Sequence, residues 1–483
     1  MSFLGIDIGT SGLRLLLVDP TGAPIGAVER SYDTQHPHFG WSEQDPQTWI
    51  NALESGVASL RSAHPEFADL EGIGAAGHMH GAVLLDKNDD VLRPCILWND
   101  SRSHVEAAKL DADPAFRALS GNIVFPGFTA PKLDWVRTHE PAVFDSLAKV
   151  LLPAAYLTLY LTGEHVADMS DSAGTAWFDT GARAWSEPLL SASNMRAYQM
   201  PRLVEGCEAA AQMRQSLAQT WGLHKAPVIA GGAGDNAAAA CGLGVVEQGQ
   251  GFVSLGTSGV LLMARNAYHP APATALHTFC HALPDRWYQM GVMLSAADSL
   301  TWLSTLTGAS PKALTDELGD TLKAPDRLMF LPYLSGERTP HNDADIRGSF
   351  HGISTATTRK DMTRAVLEGV CFGLRDAHEA MRETGGHVRE LFAIGGGSAS
   401  QYWLKTLATT LNMPLALPEG REFGAALGAA RLGMIAATEA PITEVLRRPK
   451  AREIILPDAA QREAFDAAYE RFRAAYPVAK TLP

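Results

Sequence analysis

Several things are scarce in this sequence, and each scarcity excludes something. Only five cysteines occur in 483 residues: Cys95, Cys207, Cys241, Cys280 and Cys371. Their number is odd, their spacing is wide and no Cys-x-x-Cys pair is present. That excludes a disulfide framework and points to buried thiols in a reducing compartment. Long hydrophobic runs are missing as well. The most apolar stretch, 150–161, contains Pro153 and is too short to span a bilayer. The N-terminus opens into Phe3-Leu-Gly-Ile-Asp-Ile without the basic segment of a signal peptide, so a cytoplasmic location with no membrane partner is expected. Positive charge is in deficit: 40 Lys and Arg stand against 53 Asp and Glu, a net charge of −13. A field of that sign repels phosphate backbones, so no nucleic-acid partner is expected. A small anionic ligand stays open, because a local nest of backbone amides or a metal ion overrules the global field. Three catalytic signatures are also lacking: Gly-x4-Gly-Lys-Ser/Thr, Gly-x-Ser-x-Gly and His-Glu-x-x-His. A user of ATP with this sequence works without the Walker lysine.

What remains is ordinary globular composition, 46% hydrophobic and 19% charged, in a chain long enough for two large domains. Phe3–Ile8 reads as a strand, Gly9-Thr10-Ser11-Gly12 as a tight turn and Leu13–Asp19 as a second strand, with a third near Pro24–Val28. A helix follows, with Asp45 as N-cap, Pro46 at its first position and Trp49, Ile50, Leu53, Val57 and Leu60 on one face. Short apolar runs at Gly72–Ala76 and Ala82–Leu85 continue a β/α alternation, so the expected class is α/β.

The opening repeats. Gly251–Leu255 is again an apolar strand, Gly256-Thr257-Ser258-Gly259 the same turn, and an apolar strand follows. The copies begin about half the chain apart, which predicts two domains of similar fold, 1–245 and 246–483. Further on, helices are expected over Ser295–Leu306, Arg359–Glu383 and Ala399–Leu411. The small residues of Glu422–Ile435 predict a closely packed helix.

Chemistry concentrates at the glycine turns. In each Gly-Thr-Ser-Gly, glycine lets the backbone approach a ligand, and successive N–H groups with two hydroxyls suit phosphate oxygens. Asp7, two residues before Gly9 at a strand end, is placed to hold a metal-bound water. Asp235 follows Gly231-Gly-Ala-Gly234 at a strand-to-helix turn. It is either a proton acceptor for a substrate hydroxyl or an N-cap. The stretch also fits Gly-x-Gly-x-x-Ala, although no second strand ending in an acid appears about twenty residues on. Gly77-His78-Met79-His80-Gly81 offers hydrogen bonds to a polyol, or two metal ligands without a third. His277, Cys280 and His281 have a spacing that would suit a metal on one helix face. Gly395-Gly396-Gly397-Ser398 ends a strand where an adenine ring or a pyrophosphate could enter.

These segments together resemble one family, the FGGY carbohydrate kinases. Ile6-Asp7-Ile8-Gly9-Thr10-Ser11 is similar to its first phosphate segment and Trp41-Ser-Glu43-Gln44-Asp-Pro46 to an early substrate-domain motif. Gly127-Phe-Thr129-Ala-Pro-Lys132-Leu-Asp-Trp135-Val looks like its first signature. Gly348-Ser-Phe350-His-Gly352-Ile353, continuing to Asp361-Met362 and Ala365-Val-Leu367-Glu368, looks like the second. Within the family the likeness is to xylulokinases. It rests on Met79-His80-Gly81, Leu97-Trp98-Asn99-Asp100-Ser-Arg102, Asp168-Met-Ser-Asp171, Phe279-Cys280-His281 and Tyr333-Leu-Ser-Gly-Glu337-Arg338-Thr-Pro340. One position departs: His78 stands where Gln is expected. The resemblance implies two actin-like (ribonuclease H-like) ATPase domains flanking a cleft, sugar in the first and ATP mainly on the second. It implies ATP-dependent phosphorylation of D-xylulose at its 5-hydroxyl, with Asp235 as base and Mg²⁺ organised by Asp7 through water. Sugar contacts are expected from Met79, His80, Trp98, Asp235 and Asn236. Phosphate contacts are expected from Gly9, Thr10, Ser11, Gly256, Thr257 and Ser258, and adenosine contacts from Gly396, Gly397 and Ser398. Partners are a small sugar and ATP, with a homodimer left open. Another ketose or polyol kinase (ribulose, a gluconate) and an actin-like ATPase of chaperone or filament type are the alternatives.

Overall fold

The computed structural model describes residues 1–419 and 424–481. β1 (Ser2–Ile8), β2 (Gly12–Val18) and β3 (Pro24–Ser31) form an antiparallel meander. α1 (Pro46–Ala63) starts as its sequence dictates: the Asp45 side chain accepts from the Gln47 N–H at 2.9 Å, Pro46 occupies the first turn, and Trp49, Leu53, Val57 and Leu60 are buried. β4 (Leu70–Gly77) returns parallel to β1. Short helices and two-stranded ribbons follow, including α2 (Thr129–His139). β5 (Ala209–Gln212), β6 (Val228–Ala230) and β7 (Ala233–Gly234) complete the first sheet, and α3 (Asp235–Gly242) leaves directly from β7. The order is β5-β6-β4-β1-β2-β3, with β7 also on β4.

The second sheet collects β8 (Gln250–Leu255), β9 (Gly259–Arg265), β10 (His277–Cys280) and β11 (Trp287–Met293). Then come α4 (Ala297–Thr307), α5 (Arg359–Glu383), β12 (Glu390–Ile394), α6 (Gln401–Leu411), β13 (Leu415–Pro418), α7 (Gly424–Thr438), β14 (Ala451–Ile455) and α8 (Arg462–Ala479). The strand order is β10-β11-β9-β8-β12-β13-β14.

Both sheets use one wiring. In the first, β3-β2-β1 are antiparallel, β4 and β6 continue parallel to β1, and β5 closes antiparallel. In the second, β11-β9-β8 are antiparallel, β12 and β13 continue parallel to β8, and β14 closes antiparallel. β10 is an added edge. The four-residue repeat therefore marks a repeat of the whole sheet.

The expected helix over 422–435 is present from Gly424; residues 422 and 423 lie outside the described residues. It lies in the chain between β13 and β14 of the second sheet yet packs on the first. A Cβ on Gly5 of β1 would lie 1.8 Å from the Ala426 carbonyl oxygen, and one on Gly74 of β4 would lie 2.0 Å from that of Ala429. Only glycines on the sheet admit the helix backbone so closely.

One expectation is corrected. Residues 277–280 form a strand, not a helix, and a three-residue spacing on a strand sends His277 and Cys280 to opposite faces. Among the described residues no three His, Cys, Asp or Glu side chains group as a metal site. Nor is any described helix long and apolar enough to cross a membrane.

Candidate active site

Three neighbouring parallel strands deliver their ends to one place. Ile8 of β1 pairs with Gly77 of β4, and Gly77 pairs with Gly234 of β7. The turn at Gly9, the segment 78–80 and Asp235 therefore emerge side by side. In open α/β sheets the crevice beyond the carboxyl ends of the strands is where ligands bind. The Gly9 N–H closes the turn on the Gly12 carbonyl at 2.8 Å. Tyr32 Oη donates to the Gly9 carbonyl at 2.8 Å, Gln44 Nε2 to that of Thr10 at 2.6 Å, and Trp98 Nε1 to Thr10 Oγ1 at 3.0 Å. The turn is held from behind, and the indole of half-exposed Trp98 sits against it.

Asp235 is the first residue of α3, not its cap; the N-cap is Gly234. Its Oδ1 accepts from the Asn236 N–H at 2.7 Å and from Asn236 Nδ2 at 2.8 Å. Burial pushes its pKa up to about 6, and the two Asn236 bonds oppose the rise. The group is ionised at neutral pH yet more basic than an ordinary carboxylate. Asp7 is pushed up to about 7, first by burial and then by the charge of Asp235.

His80 is held in the left-handed region, φ 71°. Its carbonyl accepts from Lys132 Nζ at 2.8 Å and Thr129 Oγ1 at 3.2 Å, both on α2. Its ring Nδ1 lies 2.6 Å from the Gly174 carbonyl oxygen. Burial drops the ring's pKa to about 3, so it is neutral. Nδ1 therefore carries the hydrogen donated to Gly174, and Nε2 is left as an acceptor. Met79 packs over Gly234, where a Cβ would lie 2.9 Å from Met79 Cγ. Tyr288 Oη, on β11 of the second sheet, reaches to 3.8 Å from Met79 Sδ, so both halves of the chain wall this space. His78 is buried with its ring edge-on to Trp49 at 5.6 Å and both nitrogens unpartnered.

The second sheet repeats the device. β8 and β12 are parallel neighbours, and their ends carry the two remaining glycine turns. A Cβ on Gly395 would lie 3.0 Å from the Gly256 nitrogen. The carbonyls of Gly256 and Thr257 each accept at 2.9 Å from the N–H groups of Ala297 and Ala296 at the start of α4. Ser398 Oγ donates to the Gly395 carbonyl at 2.7 Å. Beside these turns lies a cavity of about 560 Å³ bordered by Leu300, Pro311, Gly396, Gly397, Tyr402 and Trp403. That volume suits a nucleoside-sized ligand.

Sequence reasoning gave no role to Lys132, Tyr288 or Asp171. Lys132 is completely buried, and burial lowers its pKa to about 7. Both carboxyl oxygens of Asp171 are buried without a partner; burial, then Asp168 and Asp235, push its pKa up. Lys132 and Asp171 lie inside segments already recognised by their likeness to the family. Tyr288 carried no such signal.

The family model described as FGGY family of carbohydrate kinases, N-terminal domain, matches residues 2–242, and its C-terminal counterpart matches residues 251–437. The chain belongs to the FGGY family of carbohydrate kinases. It is 43% identical over 477 residues to the xylulose kinase of Escherichia coli (strain K12), covering 98% of each chain. Among solved structures, the xyloylose kinase from Brucella ovis shares 57% identity with a TM-score of 0.99 over 100% of both chains. The xylulose kinase from Rhodospirillum rubrum shares 29% with a TM-score of 0.92 over 99% of both. The fold of this FGGY kinase is the two-domain, actin-like α/β fold expected from its sequence, and it is a phosphotransferase that takes ATP as phosphate donor and a carbohydrate alcohol as acceptor. ATP use here involves no Walker lysine, as the absence of that motif required.

Proposed function

We propose that this FGGY kinase transfers the terminal phosphoryl group of ATP to O5 of D-xylulose, giving D-xylulose 5-phosphate and ADP. The observation that carries the reading is the 43% identity to a xylulose kinase across 98% of both chains. Residues 1–245 hold the sugar and residues 246–483 hold most of the ATP. Met79, His80, Trp98 and Asn236 contact the sugar, and Asp235 accepts the proton from O5 as the new P–O bond forms. Its position at the end of β7, beside Asp7, supports this role. The amides and hydroxyls of Gly9, Thr10, Ser11, Gly256, Thr257 and Ser258 bind phosphate oxygens, while Gly396, Gly397 and Ser398 flank the adenosine. The acidic net charge favours these small partners over nucleic acid.

Mg²⁺ fits the donor set. Asp7 and Asp235 are hard oxygen donors, and the Asp7 carboxyl is raised first by burial and then by the charge of Asp235, a repulsion that a divalent cation relieves. Asp7 would hold the ion through water; when bound it neutralises charge on the phosphoryl oxygens. Asp7→Asn is expected to raise the Mg²⁺ concentration for half-maximal activity by about 10-fold. An unchanged activation curve would remove Asp7 from this role.

A coupled assay over D-xylulose, D-ribulose, D-gluconate and pentitols tests the main reading. D-xylulose is expected to lead in kcat/KM by about 10-fold or more. Its second reading, a kinase of another ketose or polyol, rests on His78 in place of the expected Gln and predicts that a different sugar leads.

A further inference from the structure

The proposed reaction fixes the form in which the sugar binds. A 2-ketopentose closes its ring by adding the 5-hydroxyl to the C2 carbonyl. The hydroxyl to be phosphorylated is therefore free only in the open chain, which carries a ketone. Something must recognise that acceptor-only oxygen.

A cluster of rings from both halves of the chain lies around His80. His80 stacks on Phe128 at 4.6 Å, Phe128 meets Phe125 at 5.7 Å, and Phe125 meets His277 of β10 at 5.3 Å. The Arg338 guanidinium enters this cluster from the second half, its Cζ 4.7 Å from the centre of the Phe125 ring. The Arg338 backbone N–H is anchored, donating to Glu337 Oε1 at 2.7 Å, and a second bond to that oxygen comes from the Leu294 N–H at 3.2 Å. The guanidinium itself makes no hydrogen bond and no ion pair with any described residue. Burial lowers its pKa, and its charge lowers those of His80 and His277, so it lies within electrostatic reach of both imidazoles. A guanidinium has five donors and no acceptor, and this half-buried one, over the Phe125 ring and within reach of the Glu337 charge, keeps its donors free for an acceptor.

We propose that Arg338 determines sugar specificity by donating to the C2 carbonyl oxygen of the open-chain ketose, while Nε2 of His80 accepts from a neighbouring hydroxyl. The inference rests on the reading of the chain as a D-xylulose kinase. The donor comes from the second half and the acceptor from the first, so the sugar is read by both. A pentitol lacks the ketone and places at C2 a hydroxyl whose own hydrogen needs an acceptor there.

The test compares kinetics of the full-length wild type, Arg338→Gln and Arg338→Lys with D-xylulose and with D-arabinitol. Arg338→Gln is expected to raise KM for D-xylulose by about 10- to 100-fold, the loss of a charged donor. KM for ATP should stay within twofold, and the preference for ketose over pentitol should shrink. Arg338→Lys keeps a charge without the planar fork and should fall between. Should the Gln variant melt below the assay temperature, the Lys variant carries the test, with a KM raised several-fold. A KM for D-xylulose within twofold of wild type in the folded variants overturns the proposal. So does a fall in kcat at unchanged sugar KM, which would give the guanidinium to the transferring phosphoryl group. If wild type does not phosphorylate D-xylulose, the reading of the chain as a D-xylulose kinase fails, visibly before any substitution is made, and this inference fails with it.

Discussion

Asp235→Asn is expected to lower kcat for sugar phosphorylation by about 10³-fold, with Asp235→Ala at least as severe, while ATP still binds. A positioned general base supplies about 10²- to 10⁴-fold, and the first of these values is ~2.7 kcal/mol of barrier. Asn is isosteric, so it removes the basic oxygen while leaving the packing under Met79 in place. The pH profile separates a base from a mere structural acid. Wild-type activity should fall as pH drops through about 6, where Asp235 takes up its proton. The Asn variant should show a low, flat profile over that range. Stability moves the other way. The folded pKa is raised above 3.8, so the native state binds the proton more tightly than the unfolded chain. The penalty for burying the charged form is absent below about pH 4 and grows as pH rises to about 6. Asp235→Asn should therefore be more stable than wild type at neutral pH by denaturant titration, a case of activity maintained against stability. Near-normal turnover in either variant would remove Asp235 from the mechanism.

What could be read in the sequence was local. The Gly-Thr-Ser-Gly turns, the Asp45-Pro46 start of α1 and the strand leading into Asp235 are each set by residues within one or two turns of chain, and each appears as expected. Sheet order is a different kind of information: β1 lies between β2, its neighbour in sequence, and β4, more than fifty residues on, and no local pattern specifies that. The error at His277 and Cys280 has the same root. Their spacing was read with a helical period, whereas pairing with β11 makes them a strand. Lys132 beneath the His80 carbonyl and Tyr288 against Met79 depend on approaches across 52 and 209 residues of chain. Their chemistry is plain once placed; Lys132 lies in a segment that resembles the family's first signature, which gives it no role by itself, and nothing near Tyr288 in sequence announces its place.

The seat of α7 on the first sheet was equally hidden, and it carries the largest expected effect on stability. α3 and α7 cross at Gly428, where an added Cβ would lie 1.7 Å from the Ala238 carbonyl oxygen and 2.6 Å from its carbon. Across the same crossing a Cβ on Gly242 would lie 2.7 Å from the Gly424 carbonyl. These are backbone atoms inside helices, which cannot swing aside as a side chain does. Gly428→Ala must therefore push the helices apart, and α7 is also pinned to β1 and β4 through Gly5 and Gly74. Overpacking of a filled interior costs about 1–3 kcal/mol, and more where backbone must move; about 3 kcal/mol or more is expected from urea titration. The damage should not stop at stability. α3 begins with Asp235, so a displaced α3 moves the carboxylate relative to the β1 and β4 ends, and kcat should fall along with the melting temperature. Gly396→Ala is the matched control. Nothing lies within 4 Å of the Cβ it would add, so its stability should stay within about 0.5 kcal/mol of wild type, any effect appearing in KM for ATP. A Gly428→Ala protein as stable as the Gly396→Ala control would show that the two helices do not meet here, and the link from α7 to Asp235 would be lost with that contact.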